Sequence, residues 1–314
     1  MEFWLAPLHG ITHYHFRNCL NRHVEGISVA VTPFLPVEAA GRLNVKKWVD
    51  IQPDNNVGLD IIPQLIGNTP SHFVDTIRAL QGLGYERFNW NIGCPAAQVV
   101  RKRRGCGIMP YPEMVEAVVS EVANQTTCRF SIKMRLGLKR PQESFQILER
   151  LQGYPLDFVA VHPRLGVQEY EGVPDLTAFQ QLQNAFHYHF VYSGDIVDLL
   201  SYHHIQSYFN VVDCCLLGRG ILRNIFLAEE LQSGKTLPRE VRFRRFQHFY
   251  EDYTNTLLSA RGPHAALANL KELWHYFATF FHLSPENLIE LLRCTDYTAF
   301  DALARDIVLR AQNV

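Results

Sequence analysis

Phe158-Val159-Ala160-Val161-His162-Pro163-Arg164 is four apolar residues, half of them β-branched, that end abruptly in polar ones. A continuous run of this kind, without polar alternation, suits a strand buried on both faces of a parallel sheet. Comparable runs recur along the chain: Phe3 to Leu8, Ile27 to Pro33, Gly58 to Ile66, Arg87 to Gly93, Arg129 to Leu136, His189 to Gly194 and Cys214 to Gly218. Between them lie amphipathic stretches, Ser71 to Leu83, Tyr111 to Asn124, Gln142 to Leu151 and Ile196 to Phe209. Eight strands alternating with helices predict an α/β fold of the (β/α)8 TIM barrel type.

From about Leu237 the period changes to long helical patterns: Glu240 to Ser259, Pro263 to Phe281, Pro285 to Leu292 and Tyr297 to Ala311. Ser284 followed by Pro285 reads as a helix cap and first turn. The expected organisation is a barrel over 1–236 and a C-terminal helical bundle over 237–314, joined near Ser233-Gly234-Lys235. Phe34 to Asn56 carries no clear period.

Composition narrows the function. With 47% hydrophobic and 19% charged residues the 314-residue chain is globular, and a net charge of −1 provides no global field for nucleic acid, so any such binding rests on local patches. Seven cysteines, odd in number and without CxxC pairs, suggest neither a disulfide framework nor a zinc site, and a reducing cytoplasm is the simplest setting. No apolar run approaches the ~18 residues of a membrane span. His203-His204 and His187-Tyr188-His189 lack acidic or thiol partners at ligand spacing, so no metal is expected, and a monomer is the default.

Barrel chemistry sits at the C-terminal strand ends. Those ends carry Gln64, Asn91 and Cys94, Lys133 and Arg135, His162 and Arg164, Ser193-Gly194-Asp195 and Gly218-Arg219-Gly220. Glycine loops after the seventh and eighth strands suit a phosphate. Lys133 has two open uses: a Schiff base, or charge stabilisation beside an electron-rich ring.

Taken together these residues resemble the tRNA-dihydrouridine synthases, FMN-dependent enzymes that reduce the uracil C5=C6 bond. The likeness rests on Leu5-Ala6-Pro7-Leu8, Gln64-Leu65-Ile66-Gly67, Asn91-Ile92-Gly93-Cys94-Pro95, Lys133-Met134-Arg135-Leu136-Gly137, His162-Pro163-Arg164 with Gln168, Tyr170 and Gly172, Gly194-Asp195-Ile196 and Gly218-Arg219-Gly220. The resemblance implies Pro7, Leu8 and His9 under the flavin, Gln64 and Lys133 at its pyrimidine edge, and His162 against the ring system. It implies Ser193, Gly194, Asp195, Gly218 and Arg219 around ribityl and phosphate, with Asn91 and Cys94 facing the uracil. NADPH would reduce FMN, and Cys94 would give a proton to C5; a free thiol, titrating near ~8.5, holds that proton at neutral pH.

Arg135 and Arg164 join the expected substrate contacts, and so do Arg101, Arg103 and Arg104 of the basic loop after Cys94, which would meet tRNA phosphates. Two departures stand out: Ser193 where the family commonly has Asn, and Leu8 where Met is usual. Two other readings are an FMN barrel oxidoreductase acting on a small molecule, and an RNA-binding protein that kept the fold without turnover, for which Ser193 is the best support.

Overall fold

The computed structural model describes residues 1–209 and 212–312. Ten parallel strands form one sheet: β1 Glu2–Leu5, β2 Val29–Val31, β3 Leu35–Pro36, β4 Asp60–Ile62, β5 Gln64–Ile66, β6 Arg87–Ile92, β7 Arg129–Gly137, β8 Leu156–Leu165, β9 Phe190–Tyr192 and β10 Cys214–Leu217. Their order is β3-β5-β6-β7-β8-β9-β10-β1-β2-β4. Only Pro63 separates β4 from β5. It has no N–H to give to a ladder, and the chain changes partners there: Ile61 pairs with Ala30 on β2, whereas Leu65 pairs with Trp90 on β6. Thr32 N donates to Ile62 O at 3.0 Å and Asn89 N to Pro63 O at 3.0 Å. β4 at one end of the ladder and β5, next to the other end, are thus halves of one strand, and the sheet closes into a barrel. The expected strand Gly58 to Ile66 is these two halves.

Strand side chains alternate in direction, and both directions here lead to apolar surroundings. Val159 and Val161 join the large core under the outer helices, while Phe158 and Ala160 join a second cluster inside the barrel with Trp4, Val31 and Leu216. On β7 the outward residues are Ile132 and Met134. The inward ones are Ser131, Lys133 and Arg135, rising from floor to mouth. The same alternation sends Asn89 and Asn91 of β6 inward. Period two therefore places the polar residues on the axis of the barrel.

Outer helices include Tyr14–His23, Pro70–Gln81, Pro112–Gln125, Gln142–Arg150, Leu176–Ala185 and Leu199–Tyr208. The last starts three residues after the expected Ile196, because the Asp198 carboxylate accepts from Ser201 N and caps it. The helical region is Arg239–Phe280, Pro285–Arg293 and Tyr297–Gln312; residues 313 and 314 of the expected 237–314 unit lie outside the described residues. Two expected helices, Glu240 to Ser259 and Pro263 to Phe281, are the halves of Arg239–Phe280, which bends at Gly262 (φ 72°, ψ 171°). Ser284 caps the next helix, accepting from Asn287 N at 3.3 Å. Phe249 and Tyr253 meet Phe16 edge-on at 6.0 and 5.7 Å, so the helical region shares a continuous core with the barrel. Among the described residues no helix is long and apolar enough to cross a membrane.

Candidate active site

A ladder of buried amides climbs the barrel axis to Cys94. Ser131 Oγ donates to Phe88 O at 2.9 Å, and Asn89 Nδ2 donates to Ser131 Oγ at 2.9 Å. Gln64 Nε2 donates to Asn89 Oδ1 at 2.7 Å, and Asn91 Nδ2 donates to Gln64 Oε1 at 2.9 Å. Asn91 Oδ1 then accepts from Gly93 N at 3.1 Å and Cys94 N at 2.9 Å, which turns the chain out of the strand. From the other side, Cys94 O accepts from Cys106 N at 3.0 Å. Gly105 (φ +54°) permits this return: a Cβ there would lie 2.5 Å from Cys94 O. Cys94 is held by its backbone from both flanks while its thiol, only partly buried, faces a cleft.

That cleft, about 130 Å³, brings together eight expected site residues: Pro7, Leu8, His9, Asn91, Cys94, Lys133, Arg135 and His162. Sequence reasoning missed Pro33, Phe34 and Tyr170, which also line it. Phe34 was signalled only by being an aromatic residue just past a strand end. Tyr170 belongs to a quoted motif but had no assigned role; its ring carries the Arg219 guanidinium at 4.3 Å and the Arg135 guanidinium at 5.4 Å.

Positive charge dominates. Lys133 forms no ion pair or hydrogen bond among the described residues, and burial, then the Arg135 charge, pushes its pKa down to about 8. Burial and the charges of Lys133, Arg135, Arg164 and Arg219 hold His162 far below its ordinary value. His162 is therefore neutral, and since an arginine can only donate, Arg164 Nη1 at 3.1 Å makes Nε2 the acceptor and leaves the proton on Nδ1. The single carboxylate here is Asp195, which accepts from Arg164 Nη2 and from Arg219 Nη2 at 2.6 Å. Burial alone would raise its pKa, but the two guanidiniums outweigh burial and lower it. Four cations against one carboxylate leave a net demand for an anion.

The remaining expected residues stand outside the cleft. Gln64 lies beneath it, fully buried and engaged with Asn89 and Asn91. Arg164 is a buried strut, also donating to Glu171 O and Gly172 O. Ser193, Gly194, Asp195, Gly218 and Arg219 cluster at the ends of β9 and β10, linked to the cleft through Arg164 and Tyr170. Gly218 is the open point of that cradle, where an added Cβ would meet only the Ala6 Cβ, at 3.6 Å. A phosphate fits such a glycine with one arginine beside it, and the unpaired Lys133 suits an electron-rich ring, so the residues present fit a flavin that carries a phosphate. Arg101 and Arg103 are exposed on the loop after Cys94, with Arg103 over the Tyr111 ring at 4.8 Å. Arg104 is half-buried and its Nε has no partner among the described residues.

Of the histidines that looked like metal candidates, His203 and His204 are exposed, and His189 Nε2 meets Asp213 at 3.0 Å. Among the described residues one cluster, Cys19, His23 and Asp252, has ligand-like spacing. Its carboxylate oxygen already accepts from Arg22 Nε at 3.0 Å and meets His23 Nε2 at 2.8 Å, so it ties the helical region to the helix Tyr14–His23.

A parallel barrel with a thiol, a solitary lysine and a neutral histidine at its C-terminal strand ends has the arrangement of a barrel-enzyme active site. Its particular family follows from sequence: the family model Dus, dihydrouridine synthase, matches residues 4–283, and the chain belongs to that family. It is 25% identical to the probable tRNA-dihydrouridine synthase of Rhodobacter capsulatus, covering 96% of this chain and 93% of that protein. It is 23% identical to the tRNA-dihydrouridine(16) synthase of Aquipseudomonas alcaligenes (87% and 89%), and 22% to the tRNA-dihydrouridine synthase B of Pasteurella multocida (74% and 69%). Among solved structures, morphinone reductase in complex with tetrahydroNAD has the same fold at TM-score 0.52 and 11% identity, over 76% of this chain and 87% of that one.

Proposed function

We propose that the protein reduces a specific uridine of tRNA to 5,6-dihydrouridine, using FMN that NADPH re-reduces. The observation that carries this reading is the shared cleft of Cys94 and an unpaired Lys133. Bound FMN would supply hydride to C6 of the uracil from its N5. Lys133 and the Nδ1–H of His162 would hold its electron-rich pyrimidine edge, with Gln64 fixing the floor beneath. Ser193, Gly194, Gly218 and Arg219 would hold ribityl and phosphate, and Asp195 would aim Arg219. Pro7, Leu8 and His9 would support one face.

Asn91 presents Cys94 by gripping its backbone N–H, and the thiol gives its proton to C5, leaving a saturated C5–C6 bond. The proton is replaced from solvent at the open cleft. The uridine must leave the base stack to enter. Arg101, Arg103 and Arg104 meet the phosphates around it, Arg135, buried and bonded to Gly93 O and Leu165 O, adds its charge beneath the bound nucleotide, and the helical unit 237–314 grips the rest of the tRNA. A monomer in a reducing cytoplasm suits seven free cysteines.

The test uses the purified protein. It is expected to be yellow, or to become so with FMN, and to oxidise NADPH faster when unmodified tRNA is supplied. Cys94→Ala is expected to keep flavin and its reduction by NADPH while losing dihydrouridine formation. A protein that stays colourless with FMN refutes the reading; a yellow one indifferent to tRNA points to a small-molecule substrate instead; undiminished product from Cys94→Ala refutes the proton role.

A further inference from the structure

Beside the cleft, between the barrel and the bend in the helical region, lies a second pocket of about 460 Å³. The two share His9, Pro33 and Phe34 as a common wall. We infer that this pocket is a subsite for a second nucleotide, one next to the target uridine in the same RNA strand, with its base among the rings and its phosphate on Arg261. This rests on the reading that the chain acts on RNA.

Three observations support the assignment. The lining carries six rings: His9 and Phe34 lie at 5.2 Å and 30°, Tyr14 and His15 at 3.8 Å and 37°, His13 stands beside them, and Trp48 lines the pocket while only 8% exposed. Flat rings around a space that admits a base with its sugar and phosphate are what nucleobase stacking uses, whatever the base.

The charge also fits. Arg261, exposed at the rim beside Gly262, has no ion pair or hydrogen bond among the described residues. The pocket's carboxylate, Asp50, is already engaged: Oδ1 accepts from Tyr14 N at 2.6 Å and Oδ2 from Arg17 Nη1 at 3.0 Å. A phosphate therefore meets a free cation and a neutralised acid.

The third observation is an orphaned acceptor. Asn269 Nδ2 donates to Gly10 O at 3.0 Å, which orients that amide and leaves Oδ1 as acceptor. His13 Nε2, 2.9 Å from Oδ1, must then carry the hydrogen. Burial keeps the ring neutral, its pKa pushed down to about 4, so Nδ1 bears a bare lone pair. His13 is 7% exposed and Nδ1 has no partner among the described residues. His13 lines the pocket, and because its Nδ1 has almost no accessible surface it could meet an N–H on a base edge only after the ring shifts toward the bound base. When one uridine is drawn out of the stack its neighbour loses a stacking partner, and this pocket provides a replacement next door.

The experiment measures binding of UMP and of the dinucleotides UpG, UpA, UpC and UpU to the purified protein without NADPH, by calorimetry and by tryptophan fluorescence. At least one dinucleotide is expected to bind about tenfold tighter than UMP, the contribution of one stacked base and one phosphate contact, and to change an emission that disappears in Trp48→Phe. Arg261→Ala should remove most of that advantage and raise the KM for tRNA about tenfold with kcat within about twofold, and Arg261→Lys should restore much of both. Dinucleotides that bind no better than UMP, or an Arg261→Ala protein equal to wild type in binding, overturn the subsite. Failure of tRNA turnover with intact Arg261-dependent dinucleotide binding would sink the proposed activity and support the subsite, so the two failures are distinguishable.

Discussion

Lys133→Met should make the flavin-free protein more stable and the flavin complex weaker. Burial lowers the Lys133 pKa from 10.5 to about 8, and at about 1.4 kcal/mol for each tenfold change the native state bears roughly 3 kcal/mol for keeping this amine charged. The folded value lies below the unfolded one, so the penalty is fully present below pH 8, fades as pH rises from 8 to 10.5, and is absent above. Methionine keeps the unbranched stem and drops the charge. Urea denaturation of flavin-free protein at pH 7 should show Lys133→Met more stable by up to about 3 kcal/mol, an upper bound because the cleft admits water. The gap should close by pH 10.5. With FMN present the order of affinity reverses, because one charge-assisted contact is worth about 1.5 to 3 kcal/mol; a fluorescence titration should show at least about tenfold weaker binding. A variant less stable than wild type at pH 7, or a stability gap unchanged from pH 7 to 10.5, would refute the account of Lys133 as an unpaired buried cation.

Arg103→Glu combined with Arg104→Glu should weaken tRNA binding and flatten its dependence on log salt by about 2, close to one for each phosphate that is no longer neutralised; an unaltered slope removes the loop from the interface. Arg17→Met should cost about 3 kcal/mol in urea denaturation, because the fully buried guanidinium holds Asp50, Asn56 and Thr12 O; a decrease below about 1 kcal/mol would contradict that role. Gly262→Ala should cost about 1 to 3 kcal/mol through backbone strain alone, since φ 72°, ψ 171° suits glycine and nothing lies within 4 Å of an added Cβ. A thermal melt indistinguishable from wild type would mean that the bend relaxes freely.

Period and strand-end polarity made the barrel legible, and with it Asn91, Cys94, Lys133, Arg135 and His162 of the cleft, because direction along a parallel strand is a local property; Pro7, Leu8 and His9 came only from the family resemblance. Partnerships formed across the barrel were not legible. Gln64, Asn91 and Arg164 were read as groups facing ligands; their side chains are also bonded within the protein, Gln64 to Asn89 on the neighbouring strand, Asn91 to Cys94 N in the turn just after its own strand, and Arg164 to Asp195 in the loop after β9. The segment from Phe34 to Asn56 had no period because it has none: β3 and four short 3-10 turns are pinned from outside, by Tyr14 N and Arg17 on Asp50. Arg261 was invisible as a site residue because its position depends on a bend more than two hundred residues from the rings it overlooks. The change of partners at Pro63 was marked by the proline, but only strand pairing reveals which neighbour each half takes.

The order of strands in the barrel also bears on how the chain is made. β1 lies between β2 and β10, with Glu2 opposite Cys214 and Leu5 opposite Leu217. On a ribosome adding about 5 to 20 residues per second, the first strand finds β2 within seconds, then keeps its other edge unpaired for roughly 10 to 40 s until β10 emerges. An open edge carrying Phe3, Trp4 and Leu5 invites pairing with a neighbouring nascent chain. Strand order therefore leaves one edge of the first strand without its final partner until about two-thirds of the chain has been made, so closure of the barrel belongs to a late stage of synthesis.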